Sequence, residues 1–315
     1  KTTTTRLSTK VKVSAYRLFL VFIVFFCIVG VMAAFGTLEG LISSSPDISN
    51  INMVPTGYTT KFYYSDGTLS QTLVGAGGNR EYVTIDEIPK HVQDAFIAIE
   101  DERFWDHDGI DVRSIFRAAV EMLTSGHLQS GASTITQQLL KNQVFSGGDE
   151  ERDFDKAIRK IQEQYLAIDL EKKMSKEDIL EAYMNTINLG QNTLGVKAAA
   201  ARYFNKQTYQ LTLSECAVIA AITQNPSKYN PISHPEENVR RRGDVLEKML
   251  EQEFISQAEY DEAMADDVYS RIATVNEETE NNSVYTYFVD EVTEQVTQDL
   301  MEIKGFNETQ AYRLV

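Results

Sequence analysis

Three stretches of this chain hold residue types that could run acid–base or group-transfer chemistry. The first is AFIAIEDERFWDHDGID, residues 95–111, in which an apolar run delivers Glu100 and Asp101 and is followed by Arg103, Phe104, His107 and a turn at Gly109. A carboxylate pressed against Phe96, Ile99 or Phe104 loses hydration and gains the proton affinity that a general base needs. Taken alone, the pattern equally describes a helix-end acid paired with Arg103 or His107, and that plainer reading is favoured on spacing. His107 reads as a hydrogen-bonding residue rather than a metal ligand, since the chain has four histidines and no paired spacing among them.

The second stretch is SGASTITQQLLKN, residues 130–142, where Gly131, Ser133 and Thr134 precede Gln137, Gln138, Lys141 and Asn142. Ser133 and Thr134 suit the cap of a helix whose free N–H groups face an anion, with Lys141 about two turns further along. An ordinary Ser/Thr cap has the same spacing. The third is DFDKAIRKIQEQ, residues 153–164, where Lys156, Arg159 and Lys160 gather beside Glu163. Cations clustered in an acidic chain suit an anionic ligand; a solvated helix face with an Arg159–Glu163 pair is the plain alternative.

These groups need elements to hold them, and the sequence outlines those elements. Leu18–Leu38 is a run of 21 residues without a charge, long enough as a helix to cross about 30 Å of hydrocarbon. A cleaved signal peptide is the alternative, but its apolar core would be shorter and would end in a small-residue cleavage site. Residues 1–17 carry five of the thirty basic residues and no acid, which predicts a cytoplasmic N-terminus and an extracytoplasmic remainder. The net charge of −16, with every acid after residue 38, argues against a nucleic-acid partner. Cys27 lies in the apolar run and Cys216 in a distant helical segment, so neither a disulfide framework nor a cysteine metal site is expected.

Residues 39–79 read as a tether and a small β hairpin turning at Asp66-Gly67, with Gly75, Gly77 and Gly78 as a further turn. From Thr84 onward helix signals dominate, with capping boxes at Thr84/Glu87, Ser175/Asp178, Thr212/Glu215 and Ser256/Glu259. Ile158, Ile161, Tyr165 and Ile168 predict the buried stripe of one long helix, and Ile115, Phe116, Ala119, Val120 and Leu123 that of another. Residues 266–283 look like a polar loop, followed by an amphipathic helix ending at Gly305.

Five blocks in order resemble the family 51 glycosyltransferases of peptidoglycan synthesis: ED-x-x-F-x-x-H-x-G at 100–109, G-x-STITQQ at 131–138, RK-x-x-E at 159–163, a block with Glu181, Tyr183, Asn185, Gly190 and Gly195, and LTLSECAVIAAITQNPSKYNP with Arg240–Arg242 behind it. The resemblance covers about residues 80–250. It implies a lysozyme-like, mainly α domain at 80–262 that joins the disaccharides of lipid II into β-1,4 glycan with inversion, releasing undecaprenyl diphosphate. By the same resemblance Glu100 is the base at the acceptor hydroxyl and Glu163 the second carboxylate near the donor pyrophosphate. Substrate contacts carry over to Asp101, Phe104, His107, Gly131, Ser133, Thr134, Gln137, Gln138, Lys141, Asn142, Lys156, Arg159, Lys160 and Asn185.

The resemblance further implies moenomycin sensitivity, a membrane-leaning jaw at 115–128, contact with cell-wall synthesis machinery, and a linker at 263–315 toward a transpeptidase domain. No cofactor is required; a divalent cation, magnesium or manganese, at the pyrophosphate is left open. One departure is Asp155, where many members have arginine; Lys156 is the nearest substitute, although it lacks a bidentate grip on phosphate. S-x-x-K and K-T-G are missing, so β-lactam acylation of residues 1–315 is not expected. A lysozyme-like hydrolase explains Glu100 but not the cationic stretch, and a silent membrane scaffold explains neither.

Overall fold

The computed structural model describes residues 2–48, 59–73, 79–126, 131–145, 152–281 and 287–305, and among these it is mainly helical. Helix α1, Thr2–Ser43, runs past the uncharged segment at both ends. Its apolar part, Tyr16–Ser43, contains an 18-residue stretch of mean hydropathy 3.1, none of it buried inside the protein. Strands β1, Thr60–Tyr63, and β2, Leu69–Leu73, form the expected antiparallel hairpin, with Gly67 at φ +84° in its turn. The glycine turn at 75–78 and tether residues 49–58 lie outside the described residues. Strand β3, Asn79–Arg80, pairs in parallel with β4, Thr193–Leu194.

Helices α2 (Lys90–Glu100), α3 (Val112–Ser125), α4 (Ile135–Gln143), α5 (Asp153–Glu171) and α6 (Lys176–Thr186) carry the candidate residues or back them. Helices α7 (Val196–Phe204), α8 (Leu213–Ala221), α9 (Pro235–Glu251), α10 (Gln257–Ala265), α11 (Val268–Asn281) and α12 (Tyr287–Lys304) complete the order. Helix α8 is buried from Ser214 to Ala221, as a helix apolar on nearly every side must be, and it packs against α2 and α9. Helix α4 packs against α5 and α6. The expected caps form: Thr212 and Ser256 close full boxes on α8 and α10, Thr84 does so on a 3-10 turn ahead of α2, and Ser175 caps α6 through the Asp178 N–H.

Two close approaches seat the site. The side chain of Asn185 holds Val83 at both ends, accepting from its N–H at 2.9 Å and donating to its carbonyl at 2.8 Å. Glu181 takes the Ile85 N–H at 2.6 Å and the Tyr82 hydroxyl, so α6 clamps the segment leading into α2. At Gly109, φ is +89° and an added Cβ would lie 2.5 Å from the Ala167 carbonyl carbon. Only glycine lets the 101–111 loop rest on the backbone of α5.

Three expectations are corrected. Helix α5 does not bury the Ile158, Ile161, Tyr165 and Ile168 stripe; Gln162, Glu163, Leu166, Ala167 and Leu170 are buried, and Tyr165 is 42% exposed. The helix is turned because Lys160, which holds Glu163, reaches Gln137 of α4, and Gln162 meets α1, donating to the Leu41 carbonyl at 3.2 Å. The stripe of α3 does not form core either: Phe116 and Leu123 are 70% and 86% exposed, while Ser114 and Ala118 are buried. The polar loop expected at 266–283 is largely α11, whose Val268 and Ile272, four residues apart, are buried against the body that includes α7.

Candidate active site

Glu100 is the last residue of α2, and each of its carboxylate oxygens meets a donor. Gln138 Nε2 of α4 donates to Oε2 at 2.7 Å, and the Thr223 hydroxyl donates to Oε1. An ionised carboxylate only accepts, so the Gln138 amide must present its nitrogen there and its oxygen behind. That oxygen accepts from the Tyr183 hydroxyl at 3.2 Å. Burial first, then the negative charges of Glu100 and Asp101, push the Tyr183 phenol well above its usual range and keep it a donor. Two lone pairs on each Glu100 oxygen still leave room for an incoming hydroxyl.

Asp101 turns the other way. Its carboxylate accepts the Ile135 N–H at 3.0 Å at the start of α4 and lies 2.9 Å from His107 Nε2. Thr134 caps the same helix through the Gln137 N–H and donates to the Gly109 carbonyl at 2.7 Å. These contacts tie the starts of the first two stretches together.

On another face of α4, Lys160 Nζ donates to Ser133 Oγ at 2.7 Å, Gln137 Oε1 at 2.9 Å and Glu163 Oε2 at 3.1 Å, using all three of its protons. Arg159 takes the other oxygen of Glu163, which is only 2% exposed. Two cations on one buried carboxylate leave a net positive charge, the arrangement expected where an anion is received. Both Glu163 oxygens are committed to cations, and among the described residues no three His, Cys, Asp or Glu side chains converge, so the residues do not fit a divalent cation of their own.

A cleft of about 370 Å³ opens beside Glu100, lined by Gly131, Ser133, Gln224, Arg241 and Lys248 among others, and Ser133 links it to Lys160. Residues 66–250 match the family model described as transglycosylase. The chain belongs to the transglycosylase family. Penicillin-binding protein 1A of Clostridium novyi (strain NT) is 36% identical over 308 residues, covering 90% of this chain and 36% of that protein. Penicillin-binding protein 1A of Escherichia coli (strain K12) is 41% identical over 245 residues, covering 78% of this chain and 28% of its own length. A crystal structure of penicillin-binding protein 1A from Haemophilus influenzae is 27% identical, with a TM-score of 0.39, covering 68% of this chain and 21% of that one. This transglycosylase chain thus spans about a third of the length of such relatives, and it carries the glycosyltransferase portion of a class A penicillin-binding protein.

Not every residue predicted to touch substrate reaches the transglycosylase cleft. Phe104 is fully buried, with Lys176 Nζ 4.5 Å from its ring centre, and Asn185 is fully buried on Val83; both support the site from behind. His107 is half-buried beside Asp101 and lines a neighbouring groove with Arg103 and Ile168 instead of the cleft. Lys141 lies half-buried on α4 one turn beyond Gln137, while Asn142 and Lys156 are exposed. Asp155, at the departure, pairs with Arg152 at 2.9 Å. Sequence reasoning gave Arg241 no role beyond its place in the Arg240–Arg242 run and did not single out Thr223, Gln224 or Lys248; the cleft lining marks Gln224, Arg241 and Lys248, and the contact with Glu100 marks Thr223.

Proposed function

We propose that the chain polymerises lipid II into β-1,4-linked glycan at the outer face of a membrane, releasing undecaprenyl diphosphate with inversion. The observation that carries this reading is that adjacent residues of α4 serve two carboxylates, Glu100 held by neutral donors and Glu163 held by cations and joined to α4 through Lys160. The acceptor's 4-hydroxyl oxygen attacks the donor's anomeric carbon while its proton passes to Glu100. The bond from that carbon to the diphosphate oxygen breaks, and the diphosphate leaves with the electron pair.

Attack and departure on opposite faces invert the centre, which requires a base on one side and charge stabilisation on the other. Lys160 and Arg159, aligned by Glu163, supply that stabilisation, with Lys141 and Lys156 as further cations on α4 and α5 and the amide of Gln137 beside them. A lytic enzyme of similar shape would need only the first half. Gly131, Ser133 and Thr134 border the cleft with Asp101, and His107 orients Asp101 from outside it.

A lipid-borne substrate must be met at the bilayer. The cluster of cations at the start of α1, ahead of its uncharged run, supports a cytoplasmic N-terminus, and Gln162 ties the far end of α1 to the helix bearing Glu163. The exposed apolar side of α3, with Phe116 and Leu123, suits contact with lipid beside the cleft. The segment after residue 262 leads toward a transpeptidase domain, and other cell-wall synthesis proteins are the expected partners.

The test is incubation of the detergent-solubilised chain with labelled lipid II, comparing wild type with Glu100→Gln on a product gel, with and without moenomycin. Polymer from the wild type alone, blocked by moenomycin, is the expected result. Absence of polymer with shortening of preformed glycan would overturn the reading in favour of a lytic enzyme.

A further inference from the structure

Thr223 lies just beyond α8, in a block from which sequence reasoning drew no site residue. Its hydroxyl oxygen is within hydrogen-bonding reach of two acceptors at once: the Glu100 carboxylate, and the Ala220 carbonyl at 2.9 Å. A hydroxyl has one proton and two lone pairs, so it can satisfy only one of these acceptors as a donor at a time. Bonding back to the carbonyl three residues earlier is ordinary behaviour for threonine at a helix end. The contact with Glu100 is not local, since 123 residues separate the two.

We propose that Thr223 is a positioning residue for the base, a hydroxyl rotor matched to both protonation states of Glu100. This rests on the assignment of Glu100 under the proposed function. While Glu100 is ionised, the Thr223 proton points at Oε1 and, with Gln138 on Oε2, fixes the plane of the carboxylate. Once Glu100 has taken the acceptor's proton, the Thr223 proton turns to the Ala220 carbonyl and its oxygen is free to accept from the new carboxylic acid. No proton is transferred to threonine in either state. The carboxyl group therefore keeps a partner on that oxygen throughout the cycle, without moving its side chain. Thr223 touches the base and not the reacting atoms, so its loss should lower turnover and leave substrate binding intact.

The experiment compares Thr223→Val and Thr223→Ser with wild type in steady-state polymerisation of labelled lipid II, with melting temperature as the check on folding. Valine keeps the shape and removes the hydroxyl; its kcat should fall about tenfold or more, the usual worth of a hydrogen bond to a charged group, with KM unchanged. Serine keeps the hydroxyl and should hold kcat within about threefold of wild type. Should the valine variant fail to fold, Thr223→Ala is the second variant without a donor, and the same loss of kcat is expected. Wild-type turnover in the non-donor variant overturns the inference, as does a serine variant as slow as valine. If either occurs while Glu100→Gln is inactive, the proposed function stands and only the role of Thr223 falls; a wild-type chain that makes no polymer overturns both.

Discussion

Gln137 and Gln138 are neighbours on α4 that serve different carboxylates. Gln138 donates to Glu100 at 2.7 Å, while Gln137 accepts from Lys160 at 2.9 Å, and Lys160 in turn holds Glu163. Successive helical residues point about 100° apart, so a Gln-Gln pair on one buried helix addresses two sides of a cleft without a bend in the backbone. The separation between base and cations is thereby built into one rigid element.

Gln138→Leu should remove the donor on Oε2 of Glu100 and leave the buried Tyr183 hydroxyl without its acceptor. Turnover should drop by roughly 10- to 100-fold, from a charge-assisted hydrogen bond worth about 1.5–3 kcal/mol. Tyr183→Phe removes only the second contact, and a smaller loss of turnover is expected. Initial rates of glycan formation measure both, and equal losses would mean that Gln138 acts through packing rather than through Glu100.

Gly109→Ala should be far more damaging than Gly67→Ala, although both glycines have positive φ. At Gly67 an added Cβ meets nothing within 4 Å, so only the left-handed backbone strain of about 1–2 kcal/mol remains. At Gly109 the Cβ would lie 2.5 Å from the Ala167 backbone on α5, which must shift. A loss of roughly 4 kcal/mol is expected, at the upper end of single substitutions. Comparison of the two melting temperatures checks it, and similar values would show that the loop does not rest on α5 in solution.

Asp111 makes stability depend on acid pH. It caps α3 by accepting the Arg113 and Ser114 N–H groups at 3.0 and 3.2 Å, and Arg103 Nη2 donates to it at 2.6 Å. Burial works against its charge, but the Arg103 and Ser114 donors outweigh it and hold the carboxyl at about 2, below its ordinary 3.8. The unfolded chain therefore binds the proton first, so the stabilisation is present above about pH 4 and is lost as pH falls through about 2. The contribution is about 2 kcal/mol. Unfolding free energies of wild type minus Asp111→Asn, measured by urea across that range, should shrink by this amount; a constant difference would rule the assignment out.

Legibility followed locality. The apolar span, the hairpin turn at Asp66-Gly67, three capping boxes and the simple cap at Ser175 were readable because each depends on residues within a few positions of one another. Glu100, Gln138, Lys160 and Glu163 could be picked out because five family blocks fall in order along the chain, yet nothing in their spacing said which oxygen meets which donor. The periodicity of α5 pointed to its isoleucines as the buried face, and that failed because Gln162 is drawn to α1 and Lys160, which holds Glu163, to Gln137 on α4, which no helical period encodes.

The sequence by itself determined the membrane-compatible helix, the helical class of the domain and the family, since hydropathy, capping chemistry and motif order are all written in consecutive residues. The tertiary structure decided which side chains of those motifs face the cleft. Phe104 and Asn185 support it from within the core and half-buried His107 from beside Asp101, while Thr223, far along the chain, reaches Glu100 directly. The physical reason is that burial and hydrogen-bond partners arise where α2, α4, α5 and α8 pack together, and a residue's place in that packing depends on segments more than a hundred positions away.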